Sequence, residues 1–550
     1  MPRSRKVSYR LLEMVPGLLT WSTFLVSIVA SYFSPVWVAF FIILFDVFWL
    51  FKAVNIALHL VYTHRKLQLH GAYDWRLRLE GLGDLPKFIR TLEQQTAIAP
   101  TRVAREDLED EITRLRRLKA GGGAPDYHTL FHIVLLPTVK EPLEVLRTSI
   151  ESYRRSDFPL SRIMIVLACE ERSGQAASQI ADRLRKEFGS AFGHFLVTVH
   201  PDGIAGEART KGANITYAAR MAAEMVKGQE IKPESVLVSA FDADTVVKPG
   251  YFSQLSYTYL TTPDRTRASY QPVPVYNNNV WEAPAVNRLV AINSSFWQMV
   301  ESSRPDRLVT FSSHSMSLSA LLDVNFWPVD VVSEDSQIFW RCFLKYHGEY
   351  RTIPLFSVVS LDAVVLDSYM ASLVGQYRQN RRWAWGIENF PYLLTGMAKD
   401  PLIPRWKKYL YGYRLLEGHY FWATAALLIA FLGWLPLLLG MGRIENQVLA
   451  LNLPKVTGNI MTLATLFLIL NVALYFNILP ERPRHHSKWK FLGMFLQWLL
   501  IPISQIFFAA LPAIDAQTRL MLGRHMEFWV TPKVRKEPSQ PMLPFNSQRL

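Results

Sequence analysis

Cysteine is nearly absent from this sequence: its 550 residues include two, Cys169 and Cys342. Two cysteines cannot build the disulfide framework of a small secreted domain, and no Cys/His spacing typical of a zinc site occurs. The sequence also lacks an internal repeat of fixed period and a long low-complexity tract, which argues against solenoid architectures. The two cysteines suit a reducing compartment, and we interpret them as ordinary buried thiols.

Acidic residues are also in short supply, with 46 Asp and Glu against 60 Lys and Arg. The resulting net charge of +14 suits a nucleic acid, an anionic membrane surface or a phosphorylated substrate equally well, so charge alone does not select a partner. Half of the residues are hydrophobic. The chain is therefore large enough for one soluble domain and several membrane segments.

Apolar stretches long enough to cross a hydrocarbon core of roughly 30 Å occur at both ends of the chain. Two lie near the N-terminus, at about 15–33 and 36–61, and three follow residue 400, at about 417–440, 458–479 and 491–514. A cleaved signal peptide is the alternative for the first stretch, but a second stretch follows it immediately. The N-terminal pair predicts a helical hairpin.

Basic residues beside these stretches predict their orientation, because basic loops stay on the cytoplasmic side of a membrane. They place on that side the N-terminus at 3–6, the region after residue 64 and the loop 482–490, and they make the loop 443–447 external. A single crossing by 491–514 would leave Lys533, Arg535 and Lys536 outside. We therefore favour a re-entrant hairpin that is broken near Pro502.

The chain between the membrane stretches changes character near residue 125. Residues 64–124 are polar, and the charged run 105–119 predicts a solvated helix. From 127 to about 400, short apolar runs alternate with helix-like segments, which predicts a largely parallel α/β sheet with ligands at the carboxyl ends of its strands. We predict four parts: an N-terminal transmembrane hairpin (1–63), a polar helical linker (64–125), a cytoplasmic α/β domain (126–400), and an interfacial helix with C-terminal transmembrane segments and a basic tail (401–550).

Two aspartates, Asp242 and Asp244, follow the apolar run 236–238 and are separated by one alanine. Carboxylates at this spacing, at the exit of a buried strand, can share a hard divalent cation whose remaining positions are filled by diphosphate oxygens. A turn or a helix cap is the alternative for an Asp-x-Asp in a loop.

Two further motifs carry charge. Glu334-Asp335 follows Ser333, and a carboxylate near a reacting hydroxyl can accept its proton. Helix capping with an acidic first turn is the alternative, and both roles can hold at once. Gln379–Trp383 offers an arginine fork for diphosphate oxygens and an indole face for a sugar ring; its alternative is a basic juxtamembrane helix that contacts lipid headgroups.

With these motifs the sequence resembles the family 2 glycosyltransferases, especially the membrane synthases similar to cellulose and hyaluronan synthases. Pro137–Pro142 is similar to the family's Pro-Thr-Tyr-Asn-Glu-Pro element and Lys211–Asn214 to a shortened Lys-x-x-x-Leu-Asn element. The two acidic motifs match its metal motif and its catalytic pair, and Gln379–Trp383 matches its Gln-x-x-Arg-Trp motif, all in the family's order. The resemblance covers about 129–385, and Phe528–Lys533 is similar to a Val-Thr-Pro-Lys segment of some members.

The resemblance implies a fold and a role for each motif residue. The fold would be a GT-A domain, the α/β fold of nucleotide-diphospho-sugar transferases, joined to an α-helical transmembrane bundle. Asp335, next to Glu334, would be the general base, and the metal, Mg²⁺ or Mn²⁺, would bind Asp242 and Asp244. The donor nucleotide and its diphosphate would be held by Thr138, Glu141, Lys211, Asn214 and Asp242, with Gln379, Arg382 and Trp383 on the diphosphate and acceptor side.

The chain departs from the family pattern at two places. After the second strand the family usually has an Asp-Asp pair that binds the base, whereas this chain has Cys169-Glu170-Glu171, and we assign the contact to Glu170. Residues 311–315 lack the glycines expected before the acidic pair. His314 in that segment is interpreted as a hydrogen-bonded loop histidine, with substrate contact as the alternative.

The leading hypothesis is an inverting, metal-dependent transfer of a hexosyl or N-acetylhexosaminyl group from a nucleotide diphosphate sugar, in particular a UDP-sugar, to a growing polysaccharide that is translocated processively. The alternative is the transfer of one sugar to a lipid or polyprenyl-phosphate acceptor. A non-catalytic transporter or scaffold is a third hypothesis, which the intact carboxylates disfavour. We expect membrane lipids and no nucleic acid among the partners, and a multi-pass protein of a bacterial inner or plasma membrane with its catalytic domain in the cytoplasm.

Overall fold

The structure is a computed structural model, and it describes residues 7–439 and 448–531. The described chain forms two compact units. The sheet unit consists of Val61–Glu282 and Asn293–Leu366, and the helical unit consists of residues 7–60, Ala283–Ile292 and the described part of Asp367–Thr531. The predicted external loop 443–447, the N-terminal basic residues 3–6 and the basic tail at Lys533, Arg535 and Lys536 lie outside the described residues.

A seven-stranded mixed sheet organises the sheet unit, in the order β3-β2-β1-β4-β6-β5-β7. Its strands are β1 (Phe131–Thr138), β2 (Ile163–Glu170), β3 (His194–His200), β4 (Val236–Ala240), β5 (Ala268–Tyr276), β6 (His314–Ser317) and β7 (Arg351–Leu361). All neighbouring strands are parallel except for β6, which is antiparallel to both β4 and β5. The predicted largely parallel sheet is therefore confirmed.

The register of the sheet brings the predicted motifs to one edge. Thr138 pairs with Cys169, and Leu135 pairs with Ala240, so the carboxyl ends of β1, β2 and β4 lie side by side. β2 and β4 are buried at every position, as continuous apolar strands are when helices cover both faces of a sheet. The loops that leave these strands consequently open on the same side.

In the described part of the chain, nine α-helices lie wholly in the sheet unit, and two more extend into it. The helices that lie wholly in the sheet unit are α3 (Trp75–Gly81), α4 (Leu85–Ala97), α5 (Arg102–Ala120), α6 (Leu143–Arg154), α7 (Gly174–Phe188), α8 (Lys211–Gly228), α9 (Tyr251–Thr261), α11 (Leu318–Asp323) and α12 (Glu334–Lys345). Of the other two, α10 (Ala285–Ser302) begins in the helical unit and ends in the sheet unit.

Residues 64–125, which we predicted as a linker, are packed into the sheet unit. Leu108, Ile112 and Leu115 recur at helical spacing on α5 and are at most 6% exposed, within the same core as the strands. Asp107 of this helix accepts hydrogen bonds from Lys66 and, at 3.0 Å, from the Tyr73 hydroxyl. The predicted helix is confirmed, but one of its faces is buried because the apolar residues form a stripe along it. The charged residues between them conceal this stripe in the sequence.

The helical unit contains the apolar ends of the chain. Its helices are α1 (Val7–Phe33), α2 (Pro35–Ala72), α13 (Tyr369–Ala384), α14 (Asn389–Lys399), α15 (Arg405–Phe431), α16 (Leu435–Leu439), α17 (Val448–Ile478), α18 (Trp489–Leu496), α19 (Ile501–Gln505) and α20 (Leu511–Met521). The last residues of α2, from Val61, belong to the sheet unit. Ser34 alone separates α1 from α2, and the hairpin itself stays a prediction.

Four helical segments of the described chain are long and apolar enough to cross a membrane: Val7–Phe33, Pro35–Ala72, Arg405–Leu439 and Trp489–Met521. They cover four of the five predicted stretches, and the fifth, 458–479, falls in α17. The predicted break near Pro502 is wrong, since Trp489–Met521 is one helical run, and the side of a membrane on which this run ends stays a prediction. The run is irregular around Pro502, because a 3-10 turn, Gln497–Leu500, comes before α19 and a π-helical turn, Ile506–Ala510, comes after it.

Candidate active site

The loop that leaves β4 carries the two aspartates and is fixed by backbone and side-chain contacts. Thr245 donates its N–H to the Asp242 carbonyl at 2.9 Å, which closes a tight turn. From α6, the Ser149 hydroxyl donates to the Ala243 carbonyl and the Tyr153 hydroxyl to the Thr245 carbonyl, each at 2.8 Å. These contacts hold the loop backbone, so the two carboxylates leave it in defined directions.

Asp242 and Asp244 occupy different environments. The Asp242 side chain is 31% exposed; its Oδ1 accepts from Lys211 at 2.8 Å and its Oδ2 from the Ser312 hydroxyl at 2.5 Å. Asp244 is 2% exposed, and its Oδ2 accepts the backbone N–H of Asp362, the residue after β7, at 2.8 Å. The first carboxylate is therefore accessible from solvent, whereas the second is held inside the protein.

The second acidic pair begins α12. Glu334 and Asp335 are its first two residues, and their side chains are 3% and 23% exposed. Ser333 makes no side-chain capping bond to the helix within the described chain, although the acidic first turn suits the helix dipole. The Thr310 hydroxyl donates to the Asp335 carbonyl at 2.6 Å and so ties this helix start to the segment before β6.

Lys211, the first residue of α8, joins the two acidic motifs. Its Nζ lies 2.8 Å from Asp242 Oδ1, 3.0 Å from Asp335 Oδ2 and 3.9 Å from Glu334 Oε1, while its side chain is 9% exposed. Burial disfavours the charged ammonium, but the three carboxylates outweigh burial and raise the pKa of Lys211. The lysine is a fixed positive charge in the middle of the cluster.

The approach of α8 to α12 depends on Gly212. A Cβ at this position would lie 2.3 Å from the Pro328 carbonyl oxygen and 2.9 Å from the Glu334 Cβ. A hydrogen at Gly212 therefore lets the start of α8 contact the start of α12. The contact sets the distance at which Lys211 meets the acidic pair.

His314 lies next to this cluster and does not face solvent. It is fully buried; Nδ1–H donates to the Phe311 carbonyl at 2.7 Å, and Nε2 accepts from the Trp327 indole at 3.2 Å. Burial lowers the pKa of His314, with nearby Asp335 opposing the shift. Both ring nitrogens thus have partners inside the protein, as predicted for a hydrogen-bonded histidine, but His314 is the first residue of β6 and not part of a loop.

The residues predicted to hold the nucleoside lie at the ends of β1 and β2. Glu141 Oε2 accepts from the Thr138 hydroxyl at 3.0 Å and from the backbone N–H groups of Val139 and Lys140, so Thr138 and Glu141 define one closed turn. Glu170 ends β2 and pairs with Arg172. Their contact with a nucleotide stays a prediction.

Asn214 has a buried position that the sequence did not indicate. It is 1% exposed and donates to the Ala168 carbonyl of β2 at 2.8 Å, while its Oδ1 is buried without a hydrogen-bond partner among the described residues. In this structure Asn214 fixes α8 against β2. Any role in holding the nucleotide stays a prediction.

A cavity of about 100 Å³ opens beside Glu170, where β2 and β3 end. Its lining contains two ion pairs, Glu170 with Arg172 and Asp202 with Arg209 at 2.7 Å, and a contact of 2.7 Å between His200 and Glu207. The loop that forms its far wall leads directly into Thr210, the N-cap of α8. The cavity and Lys211 therefore border the same loop.

The Gln-x-x-Arg-Trp residues lie on α13, in the helical unit. Gln379 accepts from Gln376 at 3.2 Å, and the Arg382 guanidinium lies 4.9 Å from the ring centroid of Phe528. Trp383 is half-buried. The ring under Arg382 belongs to the predicted Val-Thr-Pro-Lys segment, of which residues 532 and 533 lie outside the described residues.

Several residues that organise the acidic cluster were missed from the sequence. Thr310 and Ser312 precede β6, and Asn278, whose amide donates to the Asp244 carbonyl and to Asp362 Oδ1 at 3.0 Å each, follows β5. None of them belongs to a recognisable motif. The one available signal was their position next to strand ends.

The donor atoms of the Asp-x-Asp loop suit a divalent metal. Both carboxylates provide oxygen ligands, which Mg²⁺ and Mn²⁺ prefer over nitrogen or sulfur. Asp242 is accessible to an ion from solvent, and Asp244 is held rigidly by the Asp362 backbone. The chemistry of these donor atoms therefore suits a divalent ion, with Lys211 already providing one positive charge there, and a metal shared by the two carboxylates stays a prediction.

Comparison with known proteins gives a family match for just under half of the chain. Residues 237–501 match the model of a family described as glycosyl transferase family group 2. The match begins in β4 and includes both acidic motifs and the α13 motif. It supports a glycosyltransferase and, together with the mixed seven-stranded sheet and the apolar helices, confirms the predicted fold class. A sequence comparison with curated proteins gives no match.

Solved structures show weaker likeness. A mannosyltransferase, PcManGT from Pyrobaculum calidifontis in complex with GDP-Man and Mn²⁺, is 15% identical with a TM-score of 0.37, covering 80% of this chain and 100% of that one. Residues 1–349 of S. aureus TarS are 12% identical with a TM-score of 0.33, covering 63% and 90%. The same TarS fragment with UDP-GlcNAc is 12% identical with a TM-score of 0.33, covering 76% and 99%.

Proposed function

We propose that this protein is an inverting, metal-dependent membrane glycosyltransferase that transfers a sugar from a nucleotide diphosphate sugar to a growing polysaccharide. The observation that carries the proposal is the convergence of Asp242, Glu334 and Asp335 on Lys211 at the carboxyl end of β4. An acidic loop for a metal diphosphate and a second carboxylate beside it are the two parts that such a transfer requires.

In the proposed reaction, an acceptor hydroxyl oxygen forms a bond to the anomeric carbon of the donor sugar. The bond between that carbon and the diphosphate oxygen breaks, and the nucleotide diphosphate leaves with the electron pair. Asp335 accepts the hydroxyl proton, because its carboxylate is partly exposed while Glu334 beside it is buried. Attack opposite the leaving group inverts the anomeric centre.

The proposed metal would be held by Asp242 and Asp244. When bound, Mg²⁺ or Mn²⁺ neutralises negative charge that grows on the departing diphosphate. The remaining residues act on the donor: Thr138, Glu141 and Glu170 border the nucleoside, and Arg382 offers its planar fork to phosphate oxygens while Gln379 and Trp383 meet the acceptor side. Lys211 and Asn214 would help to hold the nucleotide, and Asn214 also fixes α8 against β2.

The membrane part of the proposal rests on the apolar helices at both ends of the chain. Four of them are long enough to cross a bilayer, two before and two after the sheet. We propose a multi-pass plasma-membrane protein with the sheet unit in the cytoplasm, where nucleotide sugars are made available. Spans on both sides of the catalytic residues favour an enzyme that retains a polymer and translocates it. The alternative is the transfer of one sugar to a lipid or polyprenyl-phosphate acceptor.

The experiment uses the purified full chain with UDP-glucose, UDP-N-acetylglucosamine and GDP-mannose. Nucleotide diphosphate release with one donor, abolished by a chelator and restored by Mn²⁺ or Mg²⁺, is the expected result. A labelled product retained by dialysis supports polymer synthesis, whereas a label extracted into organic solvent assigns a lipid acceptor. No release from any donor, with or without metal, would overturn the enzyme proposal.

A further inference from the structure

The ammonium of Lys211 lies among the carboxylates of the acidic cluster, where a positive charge reduces their mutual repulsion even without a bound ligand. Its ammonium bridges the loop after β4 and the start of α12, with contacts of 2.8 Å to Asp242 and 3.0 Å to Asp335. Three carboxylates lie within 3.9 Å of this one cation, so the cluster keeps an excess of negative charge. The lysine reduces this excess without removing it.

The fold fixes the ammonium in that place. Thr210 caps the start of α8 by accepting the Ala213 N–H, and Gly212 permits backbone contact with Pro328. The lysine stem is 9% exposed, so its conformations are restricted. An ammonium has three donors, and contacts to Asp242 and Asp335 use them inside the protein.

We infer that Lys211 is a built-in counter-cation that competes with the metal for Asp242 and is released when the donor diphosphate arrives. A divalent ion at Asp242 would lie close to the ammonium, and like charges at such distances repel each other even at a partly exposed site. The diphosphate then offers the ammonium new oxygen partners. The metal alone should bind weakly, and metal and nucleotide diphosphate should strengthen each other's binding.

This inference rests on the proposed metal site, so its test measures metal binding rather than turnover. Free Mn²⁺ is titrated by its electron paramagnetic resonance signal in the presence of the full chain, with and without UDP or GDP. Lys211→Gln should bind Mn²⁺ alone about tenfold more tightly than the natural protein, within the usual range of coupling between two sites. Lys211→Arg retains the charge and should behave like the natural protein.

Asp244→Asn separates the two proposals. If this variant binds Mn²⁺ as the natural protein does, the metal assignment in the proposed function fails. If it loses Mn²⁺ while Lys211→Gln shows unchanged or weaker affinity, the metal site stands and the counter-cation role is overturned.

Folding of the variants is checked by the reactivity of Cys169 and Cys342, which are both buried in the sheet unit. Lys211→Met is a second neutral replacement and should agree with Lys211→Gln. If the thiols become reactive in both variants, Mn²⁺ alone should make them unreactive again, because the metal would replace the positive charge of the lysine. Failure to restore protection would also overturn the inference.

Discussion

The acidic cluster of the sheet unit and the arginine-rich helix α13 of the helical unit organise charge in opposite ways. In the cluster, Asp242, Glu334 and Asp335 share the single ammonium of Lys211. On α13, Arg381 pairs with Asp515 at 2.8 Å, and the same carboxylate pairs with Arg519 at 2.7 Å. The cluster has an excess of negative charge, whereas the α13 network contains two arginines for one carboxylate.

The difference separates residues that build a site from residues that act in it. Arg381 is bound to its own unit by an ion pair, whereas the neighbouring Arg382 lies on the Phe528 ring. The Nε atoms of both arginines are buried without a hydrogen-bond partner among the described residues. In the cluster, Glu334 is buried and Asp335 is partly exposed. Adjacent residues of the same type therefore lie in different environments, and substitutions can test whether their roles differ as proposed.

Asp335→Asn should give the largest effect in either region. Removing the proposed base should lower turnover about 10³-fold, a usual size for the loss of a general base, while nucleotide affinity changes little. Nucleotide release and calorimetric binding measure the two quantities. Asp330→Asn removes an exposed carboxylate from the loop before the same helix and should leave both unchanged. An active Asp335→Asn protein would remove Asp335 from the base role.

Arg382→Gln should give the next largest effect, on the basic side of the comparison. If Arg382 contacts the donor diphosphate as proposed, its loss should lower kcat/KM about a hundredfold, comparable to the loss of one preorganised donor to a developing charge. Arg382→Lys should recover little, because an ammonium lacks the planar fork. Arg381→Gln should instead lower the melting temperature with a smaller effect on turnover. The reverse pattern would exchange the structural and functional roles of the two arginines.

Gly212→Ala should disturb the acidic cluster without changing any charge. The new methyl group would meet the Pro328 carbonyl at 2.3 Å, so α8 and α12 must separate, at a cost of about 2 kcal/mol in the free energy of opening of the sheet unit. Labelling of Cys169 and Cys342 measures this opening, since the chain has two cysteines and both are buried there.

Gly228→Ala, at the other end of α8, is the matched control. No described atom beyond the helix's own backbone and chain neighbours lies within 4 Å of its Cβ position, so alanine should be neutral or slightly stabilising. If Gly212→Ala opened no more readily than Gly228→Ala, the tight contact between α8 and α12 would not be what holds the cluster together.

The sequence allowed the strands, the Asp-x-Asp loop after β4 and the acidic start of α12 to be predicted, because each follows from a local pattern of apolar runs and motif residues. It did not show that Lys211 joins Asp242 and Asp335, which are 31 and 124 residues away along the chain. Such contacts depend on the sheet order, in which β6 is inserted between β4 and β5.

Local patterns also misled the interpretation in two places. Charged residues on α5 concealed the stripe of Leu108, Ile112 and Leu115, so a core helix was predicted to be solvated. Pro502 suggested a break, although it lies directly after the 3-10 turn Gln497–Leu500, where the helical run changes geometry and continues. In both cases the relevant fact was position within the helix rather than residue type.

Acid should weaken the sheet unit through His132 of β1, the smallest effect we predict. Its ring is fully buried between Phe158 and Phe252, and burial lowers the pKa of His132 to about 3. In the unfolded chain the histidine has a pKa of about 6.5. The stability that the neutral buried ring contributes is therefore complete above pH 6.5 and is lost as the pH falls below it. At pH 5.5 the loss should be about 1.4 kcal/mol. Labelling of the buried thiols, with a reagent that is active in acid, should therefore become faster between pH 7.5 and pH 5.5. The increase should be larger in the natural protein than in His132→Gln. An equal increase in both would show that this histidine does not couple acid to opening of the sheet unit.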